Sequence, residues 1–333
     1  MCLIVSLAIW STGAGSSKSG PNLQAADVQG QTPTYRTSVA DVQVDAEVVD
    51  GQRQVGGLTQ QDFMIFDENR PQQIVYFGHS SVPLEVVLLL DVSGSVQKYL
   101  KDIAAIATSA LRKLTEQDQV SVMVFSRDTW IEQSMTNDPD EIAQAIEKAA
   151  HEQPFGSGTR IHAAIQSAAS FLERNRQARM QRRAILIVTD NDGMSYGVRR
   201  EDVLRSLYTA DAVLDAIVVG RHPHPPAARP GAVINVDFAF DDVYPLAEAT
   251  GGQAIAASKP ARRLAEVLER IRDRYSLVYR MPPGARPGAY HHIRVELSEA
   301  AQHKNPRAEV RAREGYYVNR EEAKGVNEQQ PAR

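Results

Sequence analysis

The sequence predicts an α/β fold, a doubly wound and mostly parallel sheet with helices on both faces. A small all-β, sandwich-like module from the N- and C-terminal flanks accompanies it. Three observations carry this. Near-continuous apolar runs recur in the middle of the chain, the pattern of strands covered on both faces. Segments with apolar residues at three- and four-residue spacing separate them. The flanks instead alternate with period two, the mark of strands with one buried face.

The elements follow in order. Val42, Val44, Ala46 and Val48 share one strand face, and Asp50-Gly51 is a turn signal. Thr59-Gln-Gln-Asp62 is the pattern of a capped helical turn. Phe63–Phe66 and Ile74–Phe77 flank the turn Asp67-Glu-Asn-Arg-Pro71. The pattern changes at Leu84, where Glu85–Leu90 is apolar after its first residue and ends in Asp91. One helix is expected from Leu100 to Leu114, then a strand from Val120 to Phe125. A helix from Pro139 to Ala150, with Asp138 as its N-cap, precedes a third over Ile161–Leu172. Strand Ala184–Val188, helix Val203–Tyr208, strand Leu214–Val219 and helix Val243–Thr250 continue the alternation, with Gly251-Gly252 as helix stop. Helix Pro260–Arg274 and a last strand, Ser276–Tyr279, complete it. Short strands return at Ile293–Leu297 and within Ala308–Val318.

At ~150 residues per domain, 333 residues suggest about two domains. The expected organisation is a signal segment at 1–15, a linker at 16–34 and an N-terminal β module at 35–81. An α/β domain at 82–281 and C-terminal strands at 286–318 follow, the strands joining the N-terminal module. A disordered tail fills 319–333. The apolar run Leu3–Trp10 is too short for a membrane span of ~20 residues and fits the core of a secretory signal, so export is expected. Lys+Arg total 37 and Asp+Glu 41, a net charge of −4 that argues against nucleic-acid binding. With 43% hydrophobic and 23% charged residues the chain can bury a core. A single cysteine excludes a disulfide framework, a Cys-rich zinc site and an iron–sulfur cluster.

Special chemistry must therefore come from oxygen or nitrogen ligands. In open α/β sheets ligands bind beyond the carboxyl ends of the strands. After the first apolar strand comes Asp91-Val-Ser93-Gly94-Ser95, which presents one carboxylate and two hydroxyls from alternate positions. Before the third helix comes Gly156-Ser-Gly158-Thr159, a tight loop with another hydroxyl. After the next strand comes Asp190. These hard oxygen donors suit Mg²⁺, with Mn²⁺ or Ca²⁺ as alternatives, better than zinc. A site with two carboxylates and neutral hydroxyls leaves the dication attractive to an outside acid.

Asp91-x-Ser93-x-Ser95 with Thr159 and Asp190 resembles the metal-ion-dependent adhesion site of the von Willebrand factor type A (VWA) family, and all five positions match. The resemblance covers roughly Leu84 to Tyr279. It implies that the hydroxyls and Asp190 hold Mg²⁺ directly or through water, with Asp91 bridged by water. Val55-Gly-Gly-Leu58-Thr59-Gln-Gln-Asp62-Phe63, Pro71-Gln-Gln-Ile74 and Gly315-Tyr316-Tyr317-Val318 resemble the secreted VWA-related proteins of acidobacterial type. The sequence departs from the family at Asp190-Asn191-Asp192-Gly193, where Asp-Gly is usual. Asp192 is then either an acid behind the ligands or a loop extension.

Blander readings compete. Asp-x-Ser-x-Ser alone is an N-cap cluster. His222, His224, His291 and His292 lack partners at ligand spacing and read as loop histidines. The run Arg174–Arg183 reads as a helix end and solvated face, and Tyr316-Tyr317 as strand packing. There is no Gly-x-Ser-x-Gly elbow, Walker loop or His-Glu-x-x-His, and no evident general base near the constellation. The expectation is thus a non-enzymatic module that captures a carboxylate of a protein or matrix partner. The alternatives are an envelope assembly protein with a fold-stabilising metal and, more remotely, a metal-assisted hydrolase.

Overall fold

The computed structural model describes residues 41–151, 158–176, 180–220 and 239–319. The expected signal segment and linker, the tail beyond Asn319, and His222 and His224 lie outside the described residues.

The N-terminal flank supplies β1 (Asp41–Asp50), β2 (Arg53–Gln54), β3 (Phe63–Asp67), β4 (Arg70–Gln72) and β5 (Ile74–Gly78). A 3-10 turn, Gln60–Asp62, precedes β3, and Thr59 N–H and Oγ1 both donate to Asp62 Oδ2 at 2.8 Å.

The α/β part runs β6 (Leu84–Asp91), α1 (Gln97–Ala104), α2 (Ala107–Leu111), β7 (Gln119–Phe125), β8 (Thr129–Thr136), α3 (Pro139–His151) and α4 (Ile161–Arg174). It continues with β9 (Arg182–Thr189), α5 (Arg200–Thr209), β10 (Ala212–Val218), α6 (Val243–Ala249), β11 (Ala254–Ala256) and α7 (Pro260–Arg272). Among the described residues its sheet has six strands in the order β11-β10-β9-β6-β7-β8. All pairings are parallel except β7 with β8. Alternate residues of β6 feed opposite faces: Val86, Leu88 and Leu90 pack with α1, α2, α3 and α7, while Val87 and Leu89 pack with α4, α5 and α6. The expected single helix over Leu100–Leu114 is two shorter ones. Asp138 caps α3 as expected, accepting from Asp140 N–H at 2.8 Å. Helix α6 ends in a Schellman motif, with Gly251 at φ +79° and Gly252 N–H donating to Ala247 O at 2.8 Å.

The C-terminal flank adds β12 (Tyr275–Arg280), β13 (Tyr290–Leu297), α8 (Glu299–Lys304), β14 (Ala308–Ala312) and β15 (Gly315–Tyr317). The order β14-β1-β12-β5, with β2 beside β1, forms one sheet, and β15-β13-β3-β4 forms another. Their inner residues, Val44, Ala46, Val48, Phe63, Ile65, Leu277, Tyr279 and Val295 among them, share one core. The small module is therefore built from both flanks. β12 differs from expectation: read as the last strand of the α/β alternation, it pairs antiparallel with β1 and β5 in the module.

Arginines join the α/β part to this module, Arg274 and Arg182 buried and Arg270 half-buried. Arg274 meets both carboxylate oxygens of Asp215 at 2.9 and 3.0 Å. Arg270 donates to both oxygens of Glu47 at 2.9 and 3.2 Å. Arg182 donates to the carbonyls of Arg274 and Arg272 at 2.8 and 2.6 Å. The expected solvated face is thus corrected at its end: Arg182 and Arg183 are buried, and Arg183 pairs with Glu85 at 3.1 Å. His291 and His292 lie in β13 rather than a loop, and His291 Nδ1 meets Asp67 Oδ1 at 2.8 Å. Tyr316 is buried as expected, its hydroxyl donating to Asp67 Oδ2 at 2.9 Å.

Candidate metal centre

Strand β6 ends in Asp91 and β9 in Thr189, so the parallel pairing of these neighbours sets Asp91 beside the loop that starts at Asp190. Four of the five candidate residues are joined by this placement. Asp91 is fully buried; its Oδ1 accepts from Ser93 N–H at 2.9 Å and its Oδ2 from Thr189 Oγ1 at 2.8 Å. Ser93 Oγ and Ser95 Oγ are 3.2 Å apart, and Ser95 Oγ donates to Asp190 Oδ2 at 2.6 Å. Asp192 N–H donates to Asp190 Oδ1 at 3.3 Å, and the Asp192 side chain faces solvent. Gly94 is exposed with open space around it.

Thr159 reaches the same sheet edge through backbone. Val92 N–H donates to Phe125 O at 2.9 Å, Arg160 N–H to Ser126 O at 3.0 Å, and Met194 N–H to Thr159 O at 3.1 Å. Gly158 has φ +99°, a conformation glycine adopts without strain. Among the described contacts, the Thr159 hydroxyl makes no hydrogen bond to the other four residues.

Burial pushes the Asp91 carboxyl up to about 7; hydrogen bonds from Ser93 oppose this, the charge of Asp190 adds to it, and the Thr189 hydroxyl opposes it. Thr189 is the participant that sequence reading passed over, because a strand-terminal threonine carries no signal of its own. Asn191, also buried, takes φ +58° and holds Asp242 and Val243 at the start of α6.

Fold and site together define an open α/β domain whose polar loops gather hydroxyls and two carboxylates at the C-terminal sheet edge. Residues 86–193, which contain all five candidate positions, match the von Willebrand factor type A domain. Over these residues the chain is similar to a VWA domain. No curated protein matches the chain. Solved structures similar to it include an aerotolerance-related membrane protein from Bacteroides fragilis (20% identity, 56% of this chain and 98% of that one, TM-score 0.43). A von Willebrand factor type A protein from Catenulispora acidiphila has 11% identity over 78% of this chain and 72% of that one, with TM-score 0.42. Proximal thread matrix protein 1 from the mussel byssus has 14% identity over 62% and 50%, with TM-score 0.44. Among the described residues, no helix is long and apolar enough to cross a membrane.

Proposed function

We propose that the chain is a metal-ion-dependent protein-binding module of adhesion type. Asp91, Ser93, Ser95, Thr159 and Asp190 would hold Mg²⁺, with Mn²⁺ or Ca²⁺ as substitutes, and the bound ion would take a carboxylate of a protein or matrix partner into its shell. The observation that carries this is the spacing of the donors. The oxygens of Ser93, Ser95 and Asp190 lie 2.6 and 3.2 Å apart. Adjacent ligands on an octahedral ion with bonds of about 2.1 Å are about 3 Å apart. Among the described residues no three His, Cys, Asp or Glu side chains gather at one point, so a carboxylate pair completed by hydroxyls is the donor set the site offers.

Charge supports the same reading. Asp190 raises the pKa of buried Asp91, and no lysine or arginine is among the main influences on that carboxyl. A dication would supply the positive charge that this pair of acids lacks. The two acids formally balance a dication, and neutral hydroxyls rather than a third carboxylate complete the set, which leaves a place for a partner's acid. Among the described residues no histidine or lysine hydrogen-bonds to Asp91, Ser93, Ser95 or Asp190, which favours binding over catalysis. The apolar run Leu3–Trp10 supports export to the envelope or beyond.

Isothermal titration with Mg²⁺ tests the site. Wild type should bind one ion, and Asp190→Ala should lose it. At tenfold excess over Kd, Mg²⁺ should stabilise the fold by about 1.4 kcal/mol, reversed by EDTA. Equal heats and melting temperatures for the two proteins would remove the reading. Mg²⁺ stabilisation with no acidic ligand would leave only a structural ion.

A further inference from the structure

Past Gly193 the chain makes one bridge at Met194 and turns at Tyr196-Gly197, beside the candidate site. Met194 is half-buried and Ser195 buried, while Tyr196 is exposed in a turn that Val198 N–H closes by donating to Ser195 O at 3.0 Å. Met194 forms an antiparallel bridge with Phe240, and Ser195 N–H donates to Ala239 O at 2.9 Å. Residues paired across such a bridge lie on one face, which sets Phe240 beside Met194. Tyr196 is 42% and Phe240 45% exposed, unusual for rings of this size.

The strip adjoins Thr159. Met194 N–H donates to the Thr159 carbonyl, and a side chain on Gly193 would press on that same oxygen. The Tyr196 hydroxyl lies over Gly158, at 3.0 Å from where a Cβ would stand. The Arg160 guanidinium lies over the Tyr196 ring, 5.6 Å from its centroid, and its buried Nε has no hydrogen-bond partner. Tyr196 also has φ +45°, a strained conformation for a bulky residue. Strain that holds an aromatic ring out to water, under a cation, points to a ligand on it.

We propose that the partner is an extended acidic peptide segment with an aromatic or large aliphatic side chain one or two residues from its carboxylate. That side chain lies on Met194, Tyr196 and Phe240, while Arg160 complements the segment's negative charge. The proposal rests on the cation reading of the site: the carboxylate goes to the ion and the apolar neighbour to the strip. Positions two apart in an extended peptide are about 6.6 Å apart on one face, a reach that suits two adjoining subsites.

The test is an array of capped hexapeptides, each with one Glu and with Phe, Leu, Ser or Lys one or two positions away. The full chain is applied in Mg²⁺ or in EDTA. Capture should need Mg²⁺ and favour Phe and Leu over Ser by about tenfold, the effect of 1.4 kcal/mol. The double variant Tyr196→Ser/Phe240→Ser, with wild-type melting, should keep Mg²⁺-dependent capture and lose the preference. Mg²⁺-dependent capture that ignores the neighbouring residue, or a preference the double variant retains, overturns the proposal while the cation reading stands. Capture that survives EDTA and Asp190→Ala overturns the cation reading, and no capture in Mg²⁺ overturns both. Self-association abolished by the double variant, in place of peptide capture, would make a second copy the occupant and overturn the proposal as well.

Discussion

Asp215→Ala should be among the most damaging single changes outside the candidate site. Asp215 lies in β10 at 1% exposure, and Arg274 lies between α7 and β12 at 2%. Their pairing ties the α/β sheet to the segment that enters the β module. Asp215 Oδ1 also accepts from Gln253 N–H at 3.0 Å. Deleting the carboxylate leaves a buried guanidinium next to two more, Arg272 and Arg182. Burial already brings Arg182 down to about 10, and Arg272 and Arg274 push in the same direction. Breaking a buried pair from one side costs about 3–5 kcal/mol, and the lost bond to Gln253 adds about 1. With a slope near 2–3 kcal/mol per molar, the urea midpoint should fall by about 1.3–3 M. Equilibrium unfolding followed by circular dichroism reads this. The double variant Asp215→Leu/Arg274→Met removes both charges and should recover most of the loss. A cost under about 1 kcal/mol for Asp215→Ala, or a double variant as unstable as the single, would refute the argument.

Two further outcomes follow from the packing. Glu47 is fully buried; burial by itself would raise its pKa, but the guanidinium charges of Arg274, Arg270 and Arg311 outweigh that and hold it below 4.5. A carboxyl depressed in the folded state stabilises above its unfolded pKa and loses that contribution as pH falls through its folded value. The stability gap between wild type and Glu47→Gln should therefore be constant near neutrality and close below pH ~4.5; a gap unchanged at pH 3 would contradict it. Gly252 packs on β10 so closely that a Cβ would lie 1.8 Å from the Leu214 carbonyl oxygen. Gly252→Ala should cost about 3 kcal/mol or more in urea unfolding, because the neighbour is backbone and cannot rotate away.

The candidate site was largely legible because its signals are local. Glu85–Leu90 announces a covered strand, and Asp91, Ser93 and Ser95 follow at once; Thr159 and Asp190 stand next to a helix start and a strand end. What escaped depends on distant partners. Arg182 and Arg183 look like a solvated charge run until Glu85 and the carbonyls of Arg272 and Arg274 are brought to them. Tyr275–Arg280 is apolar enough for either sheet, and only its pairing with β1 and β5 decides the matter. β8 is an edge strand with no fully buried residue, so neither face leaves an apolar period to read.

The departure at Asp190-Asn191-Asp192-Gly193 becomes intelligible from the backbone. Asn191 stands at φ +58°, in the left-handed region, where asparagine is among the least strained residues after glycine. It can therefore fill a place usual for glycine and add a side chain. Its Nδ2 donates to Asp242 Oδ1 at 3.1 Å, and its Oδ1 accepts from Val243 N–H at 3.0 Å. Its own N–H donates to Thr189 Oγ1 at 3.1 Å, and that hydroxyl donates to Asp91. Asp242 in turn caps α6, accepting from Tyr244 N–H at 3.1 Å. One amide thus anchors the loop that carries Asp190 to the start of a helix. Asn191→Gly keeps the backbone conformation and removes the anchor. If the anchor positions Asp190, Mg²⁺ affinity should fall about tenfold, the scale of losing a group that orients a ligand. The melting temperature should fall too, because two hydrogen bonds of a buried amide, worth about 1 kcal/mol each, are lost. Asn191→Ala adds left-handed strain and should lower both. Wild-type Mg²⁺ affinity in Asn191→Gly would show that the loop holds Asp190 without the clasp.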